Sequence, residues 1–303
     1  MGRKSDKVLF IYDSISYLKP FFIEKGFQTY KTYREVGFFQ RVLRRGWFLL
    51  KLPHDIWFDG WKHELKNVST VIVFASKYAS SLEYIQSKAP GTRVIFWYWN
   101  PVFQTIDPKS IPDGLCEKWS FDESDCEKYG MKFNTQFYLD NIALPEINPC
   151  YDVVFLGADK GRRPHLDEIE RSLQVAGLQS YFYIVDDEAY NVSYTGKFPL
   201  KDYSFYIELV SKSKAILDYV QEGQRGLTLR PLECLFHRKK LITNDPSIKS
   251  RDFYNKDNIF VLGSDDMSKV KEFLDSPFVR LPSDIENKYD VESWVNRFSV
   301  KDA

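Results

Sequence analysis

The stretch that decides the fold begins at Ser211 and reads Ser211-Lys212-Ser213-Lys214-Ala215-Ile216-Leu217-Asp218-Tyr219-Val220-Gln221-Glu222-Gly223-Gln224-Arg225-Gly226-Leu227-Thr228-Leu229-Arg230-Pro231-Leu232-Glu233-Cys234-Leu235. Lys240-Leu241-Ile242-Thr243-Asn244-Asp245 follows shortly. The apolar run at 215–217 predicts a strand, Gly223 and Gly226 a loop, residues 227–235 a helix, and 240–245 a second strand. A strand, a glycine-bearing loop and a helix start form half a site for a phosphorylated ligand. Glycine lets the backbone approach an anion, and the helix N-terminus offers unpaired N–H groups and partial positive charge.

Outward from this segment the same alternation recurs. In the first half, strand-like runs fall at 7–12, 70–74 and 93–97, with further candidates at 118–121 and 133–138, and a helical pattern at 78–88 places Leu82 and Ile85 on one face. Around Leu144-Pro145-Glu146-Ile147-Asn148-Pro149 the pattern stops, as at an interdomain linker. It restarts with a strand at 151–157, a helix at 164–176, a strand at 181–185 and a helix at 206–213. Alternating strands and helices predict an α/β fold of two Rossmann-like domains facing across a cleft, 1–146 and 147–284. The tail 285–303 carries helical spacing over 287–298 and can pack on either domain, the first included.

Composition narrows the function. The 303 residues balance 42 Lys and Arg against 42 Asp and Glu, so net attraction to nucleic acid is not expected and any anionic ligand must meet a local cluster. The aromatic fraction of 17% suits a sugar-binding protein, although most of the 24 Phe must be core. Cys116, Cys126, Cys150 and Cys234 are scattered, without zinc-ligand spacing, so no metal site is expected and a reduced cytoplasmic location fits best. No signal peptide and no spanning segment is visible.

Chemistry-bearing residues gather in the second domain. Gly157-Ala158-Asp159-Lys160-Gly161-Arg162-Arg163 sits at a strand-to-helix turn, where Lys160 and Arg162 suit a diphosphate; a solvated basic turn is the bland alternative. Arg225, Gly226, Thr228 and Arg230 are further diphosphate candidates, and Glu233 can accept from ribose hydroxyls, against the competing reading of a surface Arg230–Glu233 ion pair. In the first domain, Asp13 after the first strand and His54 in Leu52-Pro53-His54-Asp55 are candidates for a general base, each with a structural alternative. Residues 38–51 combine apolar bulk with Arg41, Arg44, Arg45 and Trp47, so they suit an acceptor or a membrane surface; a helix buried against the sheet with its arginines outside is the weightier alternative. Trp99, at the end of a strand, can stack on a sugar.

The order Gly-x-Asp-Lys-Gly-Arg, Ser-Lys-Ala-Ile-Leu-Asp, Gln-x-Gly-x-x-Gly-Leu-Thr-x-Arg-x-x-Glu and Lys-Lys-Leu-Ile-Thr-Asn resembles the nucleotide-sugar half of GT-B glycosyltransferases, above all bacterial enzymes building lipopolysaccharide core, capsule or exopolysaccharide. It covers residues 150–262, and before them the likeness is architectural. It implies no metal or other cofactor, a UDP- or dTDP-linked sugar as donor, a glycan or lipid-linked acceptor, and a location in the cytoplasm or at the inner face of the membrane. Many retaining members carry two glutamates eight positions apart; Glu233 matches the second, but Arg225 replaces the first, which leaves the stereochemical class open. The rival expectations are a non-catalytic nucleotide-sugar-binding subunit and a sugar-nucleotide epimerase.

Overall fold

The computed structural model describes residues 7–13, 15–190, 198–221 and 226–299. The chain divides into two compact units, Met1–Thr135 and Gln136–Ala303. In the first, β1 (Val8–Tyr12), β2 (Gln28–Lys31), β3 (Thr70–Phe74), β4 (Arg93–Tyr98), β5 (Glu117–Ser120) and β6 (Lys132–Phe133) form a parallel sheet in the order β2-β1-β3-β4-β5-β6. Between them lie α1 (Lys19–Glu24), α2 (Phe38–Leu49), α3 (Trp61–Glu64), α4 (Ser80–Lys88) and α5 (Glu123–Tyr129).

In the second unit, β7 (Tyr151–Ala158), β8 (Ser180–Val185), β9 (Ser213–Asp218), β10 (Lys240–Thr243) and β11 (Ile259–Val261) are parallel in the order β11-β10-β9-β7-β8. The helices there are α6 (Arg163–Val175), α7 (Tyr203–Ser211), α8 (Arg230–His237), α9 (Val270–Asp275), α10 (Ser283–Tyr289) and α11 (Val291–Arg297). Counted from its own first strand, each sheet contains the order 2-1-3-4-5, although the two halves share no visible sequence repeat. This is the α/β, Rossmann-like pattern expected from the alternation.

Strand composition explains the sheets. In β1, Leu9 and Ile11 enter one core while Phe10 packs on the other face against Phe22 and Phe27 at 4.9 and 5.0 Å, and all three β1 side chains are fully buried. A strand covered on both faces reads as a continuous apolar run, which is why β1, β3 and β4 were legible. Val153, Phe155, Ala215, Leu217 and Ile242 build the equivalent core of the second unit.

Several expected boundaries move. The strand expected at 133–138 ends at Phe133, and Tyr138 instead makes a parallel bridge to Asp290. Tyr138 N–H donates to Tyr289 O and Tyr138 O accepts from Val291 N–H, while the Phe137 ring lies 4.3 Å from that of Trp294. The division therefore falls before Gln136, earlier than the prolines at 145 and 149 indicate. The single helix expected in the tail breaks at Asp290, whose carboxylate caps α11 through Glu292 N–H, and α10 and α11 both belong to the second unit. Among the described residues, no helix is long and apolar enough to cross a membrane.

Trp294 is fully buried between Phe137 and Phe298. Trp294→Ala is expected to cost about 3–5 kcal/mol in urea unfolding of the second unit through the cavity it leaves.

Candidate functional site

In the second sheet β7 and β9 are neighbours, with β8 lying outside one and β10 outside the other. The connections leaving β7 and β9 thus part in opposite directions, opening a crevice at their carboxyl ends. The turn after β7 is tight: Lys160 and Gly161 have φ of 49° and 74°, and Arg162 N–H closes it on Asp159 O at 2.9 Å. A left-handed lysine costs about 1 kcal/mol, offset here because its N–H donates to both Asp187 carboxylate oxygens, at 2.9 and 3.1 Å.

Two guanidinium groups meet over one phenyl ring. Arg162 and Arg230 stand 5.3 and 5.5 Å from the centroid of Phe155. Gly157 leaves them room: a Cβ there would sit 3.0 Å from Phe155 Cζ, 3.2 Å from Arg230 Nη2 and 3.3 Å from Arg162 Nη2, so all three would have to give by a few tenths of an ångström. Arg162 donates through Nε to Asp159 O at 3.2 Å, through Nη1 to Tyr219 O at 2.6 Å and through Nη2 to Ala158 O at 2.5 Å, so it ties the β7 turn to the β9 exit. Arg230 donates to Leu156 O, and its buried Nε finds no partner among the described residues. Burial and the neighbouring Arg230 push the Arg162 guanidinium down to about 10.

One buried carboxylate faces this pair. Asp218 is 2% exposed, its Oδ1 lies 3.8 Å from Arg230 Nη1, and its Oδ2 accepts from Thr228 Oγ1 at 2.7 Å. Burial raises the Asp218 carboxyl against the pull of Arg230 and Thr228. Asp159 and Asp186 are committed to Arg163, at 3.1 and 3.0 Å. The Lys160 ammonium has only Gln221 Oε1, at 3.4 Å, within hydrogen-bond reach among the described residues. Burial, then Arg162 and Arg230, hold it below its ordinary value, the signature of a locally positive potential.

Beside this cluster lies a cavity of about 570 Å³, lined by Lys160, Arg162, His165, Tyr219, Gln221 and Asn244 among others. That volume is in the range of small-molecule sites. His165 and Tyr219 stack with centroids 5.7 Å apart and planes 17° from parallel, presenting flat aromatic surface. Asn244 receives Val220 N–H at 2.7 Å and donates to Val220 O at 3.1 Å, which fixes the β9 exit to the β10 exit.

Of the residues singled out from the sequence, Lys160 and Arg162 line this cavity, and Arg230 stands against Arg162. Thr228 turns its hydroxyl to Asp218 rather than capping α8, whose N-cap is Leu229 without a side-chain bond. Gly226 is buried, and Arg225 lies outside the described residues. Glu233 forms no Arg230 ion pair on the surface: it is 3% exposed and accepts from Tyr206 Oη. The sequence reading passed over His165, Tyr219 and Asn244, because it weighed charges and glycines. The position of Tyr219 and Asn244 at the exits of expected strands was the available signal.

The first unit holds a second cavity of about 780 Å³, lined by Phe48, His54, Phe58, Tyr78, Ser80 and Glu83 among others. His54 Nδ1 is 2.7 Å from Ser80 Oγ and 2.9 Å from Tyr33 Oη, and its ring stacks on Phe48 at 3.9 Å. Burial lowers its pKa, so the imidazole is neutral at pH 7. Asp13 is exposed at the end of β1, and Trp99 is half-buried 5.6 Å from Phe74. Arg41 and Arg45 are exposed on α2, and Arg44 lies over Tyr33 at 5.6 Å. Trp47 turns inward, donating to Pro53 O at 2.8 Å. Among the described residues, no group of three or more His, Cys, Asp or Glu is gathered for a metal ion. No protein-family model matches the chain, and no curated protein is significantly similar to it in sequence.

Two buried groups on α8 titrate in opposition. Burial raises the Glu233 carboxyl from 4.5 to about 7, against Arg230 and Tyr206, and burial with Lys239 lowers His237 from 6.5 to about 4. A raised carboxyl favours the protonated fold, so its contribution to stability falls as pH rises from 4.5 to about 7. A lowered imidazole favours the neutral fold, so its contribution falls as pH drops from 6.5 to about 4. Each is on the order of 3 kcal/mol. In urea titrations Glu233→Gln should therefore gain on the wild type as pH rises through its window, and His237→Gln should gain as pH falls.

Proposed function

We propose that the chain is a glycosyltransferase of the GT-B kind that moves a sugar from a UDP- or dTDP-linked donor to a surface glycan or lipid-linked precursor without a metal ion. The observation that carries this reading is the juxtaposition of Lys160, the Arg162–Arg230 pair and the stacked His165–Tyr219 faces at the switch point of the second sheet. A nucleotide diphosphate needs both elements: cations for the charge that develops as it leaves, and an aromatic face for the base. Lys160 meets the diphosphate and Arg230, whose Nε is buried, adds its charge from beside Arg162, while Arg162, held by three carbonyls, fixes the distance between the two loops. Tyr219 and His165 take the base. Glu233, bonded to Tyr206 beneath Arg230, supports that arginine and reaches a ribose only if Tyr206 releases it.

On the acceptor side the reading favours His54 over the exposed Asp13. With Nδ1–H donating to Ser80 Oγ, itself 3.2 Å from Tyr33 Oη, Nε2 keeps a lone pair at neutral pH. The acceptor oxygen attacks the anomeric carbon, its proton passes to Nε2, and the bond to the diphosphate breaks.

Calorimetry with UDP, dTDP, GDP, CMP and ADP in chelator is expected to give saturable binding of UDP or dTDP. Lys160→Ala and Arg230→Ala each weaken it about tenfold or more, equal to about 1.4 kcal/mol. Absence of binding at millimolar nucleotide from a folded chain would sink the reading, and an epimerised nucleotide sugar formed without acceptor would replace it. His54→Gln should lower transfer by about 10²–10⁴ while nucleotide binding is unchanged.

A further inference from the structure

The helix α2 stands with its apolar side outward. Residues 38–50 place Phe38, Phe39, Val42, Leu43, Leu49 and Leu50 on one stripe, and at 3.6 residues per turn it covers an arc of roughly 140°. Their exposures are 71%, 86%, 54%, 58%, 83% and 73%, and no residue of α2 is buried. The opposite side carries the attachment: Trp47 donates to Pro53 O and its ring approaches Trp57 at 6.3 Å, Phe48 stacks on His54, and Arg44 Nη1 donates to Arg34 O at 3.0 Å. The expectation of an amphipathic helix buried against the sheet is therefore reversed. The arginine and tryptophan side holds the body, and the phenylalanine and leucine side is free.

A contiguous apolar stripe of this size on a surface marks a place of interaction. Its charge selects the partner. From residue 36 to residue 54 there are four cations, Arg41, Arg44, Arg45 and Lys51, and no Asp or Glu. Arg41 and Arg45 stand exposed along one border of the stripe, where their stems can lie on acyl chains while their heads reach phosphate. A second copy of the chain would bring like charges together along that border, whereas a surface that is apolar within and anionic at its rim matches it. We infer that α2 docks in the plane of an anionic lipid bilayer, the Phe38–Leu50 stripe entering the acyl boundary and Arg41 and Arg45 meeting the headgroup phosphates. Phe48 lines the His54 cavity from the inner side of the same helix, so docking sets that cavity beside the lipid surface. The inference stands apart from the nucleotide site, and its test does not involve it.

The test is co-sedimentation of the full chain with vesicles of phosphatidylcholine alone and of phosphatidylcholine mixed with phosphatidylglycerol, with light scattering of the lipid-free chain. Expected is binding to the anionic vesicles at least about tenfold stronger than to the neutral ones, weakened by salt. Phe39→Ser with Leu43→Ser, and separately Arg41→Glu with Arg45→Glu, should each reduce it by about tenfold or more. All four positions are exposed, so melting curves should match the wild type. Binding that survives both pairs of substitutions, or a folded wild-type chain that ignores anionic vesicles, overturns the inference. So does a wild-type dimer that ignores vesicles and that Phe39→Ser with Leu43→Ser splits into monomers.

Discussion

The site in the second unit depends on two like charges being held together. Arg162 and Arg230 come from elements separated by 68 positions, one from the turn after β7 and one from the first residue of α8, and they share the face of Phe155 above a glycine. Their repulsion is answered by Asp218, buried at the carboxyl end of β9 between them, and by backbone carbonyls of Leu156, Ala158, Asp159 and Tyr219. Carbonyl dipoles neutralise less than carboxylates do, so the pair keeps an outward positive field. Burial holds the Lys160 pKa down first, and that field adds to it. Lys160, Arg162 and Arg230 outnumber Asp218, so the cluster is net positive inside a chain whose 42 cations and 42 anions cancel, a distinction that the formal charge of the whole cannot express.

How much of this was legible follows from what each residue type reports. Strands covered on both faces, such as 70–74 and 151–157, announce themselves as apolar runs. The edge strand β2, with Gln28 and Lys31 in four residues, does not, and β11 is apolar and buried but only three residues long. The turn after β7 was legible from Gly157 and Gly161, of which Gly161 takes the left-handed backbone that favours glycine; the left-handed Lys160 beside it was not legible. The reach of a side chain was not. Thr228, Arg230 and Glu233 lie within six positions, yet they point to Asp218, Leu156 O and Tyr206 respectively, and only the packing of α7 and α8 on β9 decides which.

Amphipathic periodicity has the same limit. It assigns residues to two sides of a helix without saying which side faces the protein. For α2 the usual inference, apolar side inward, fails because the sheet is already covered by Trp61, Leu65, Leu82 and Ile85 from neighbouring elements. What remains for α2 is a polar-aromatic seat formed by Tyr33, His54, Trp57 and backbone carbonyls, which accepts Arg44, Trp47 and Phe48. The apolar stripe is left outside by exclusion.

The two sheets share a strand order but differ at the first turn. After β7 comes a left-handed Lys-Gly pair followed by arginine; β1 ends at Tyr12 and Asp13 follows, with no glycine or cation before Lys19. The topology opens a crevice at the carboxyl ends in both units, and the chemistry of the turn decides what can occupy it. A cationic turn next to stacked rings suits an anionic, aromatic ligand. A neutral imidazole held by hydroxyls among Phe48, Phe58 and Tyr78 suits an uncharged polyol whose proton must be removed. On the proposed function, one architecture used twice in a single chain gives the anion-binding task to one unit and the proton-accepting task to the other. The difference has a physical basis: an imidazole beside the Arg162–Arg230 field would lose basicity, and the His54 cavity sets Lys51 and Lys88 against Asp55 and Glu83, so a diphosphate there would meet no net positive charge.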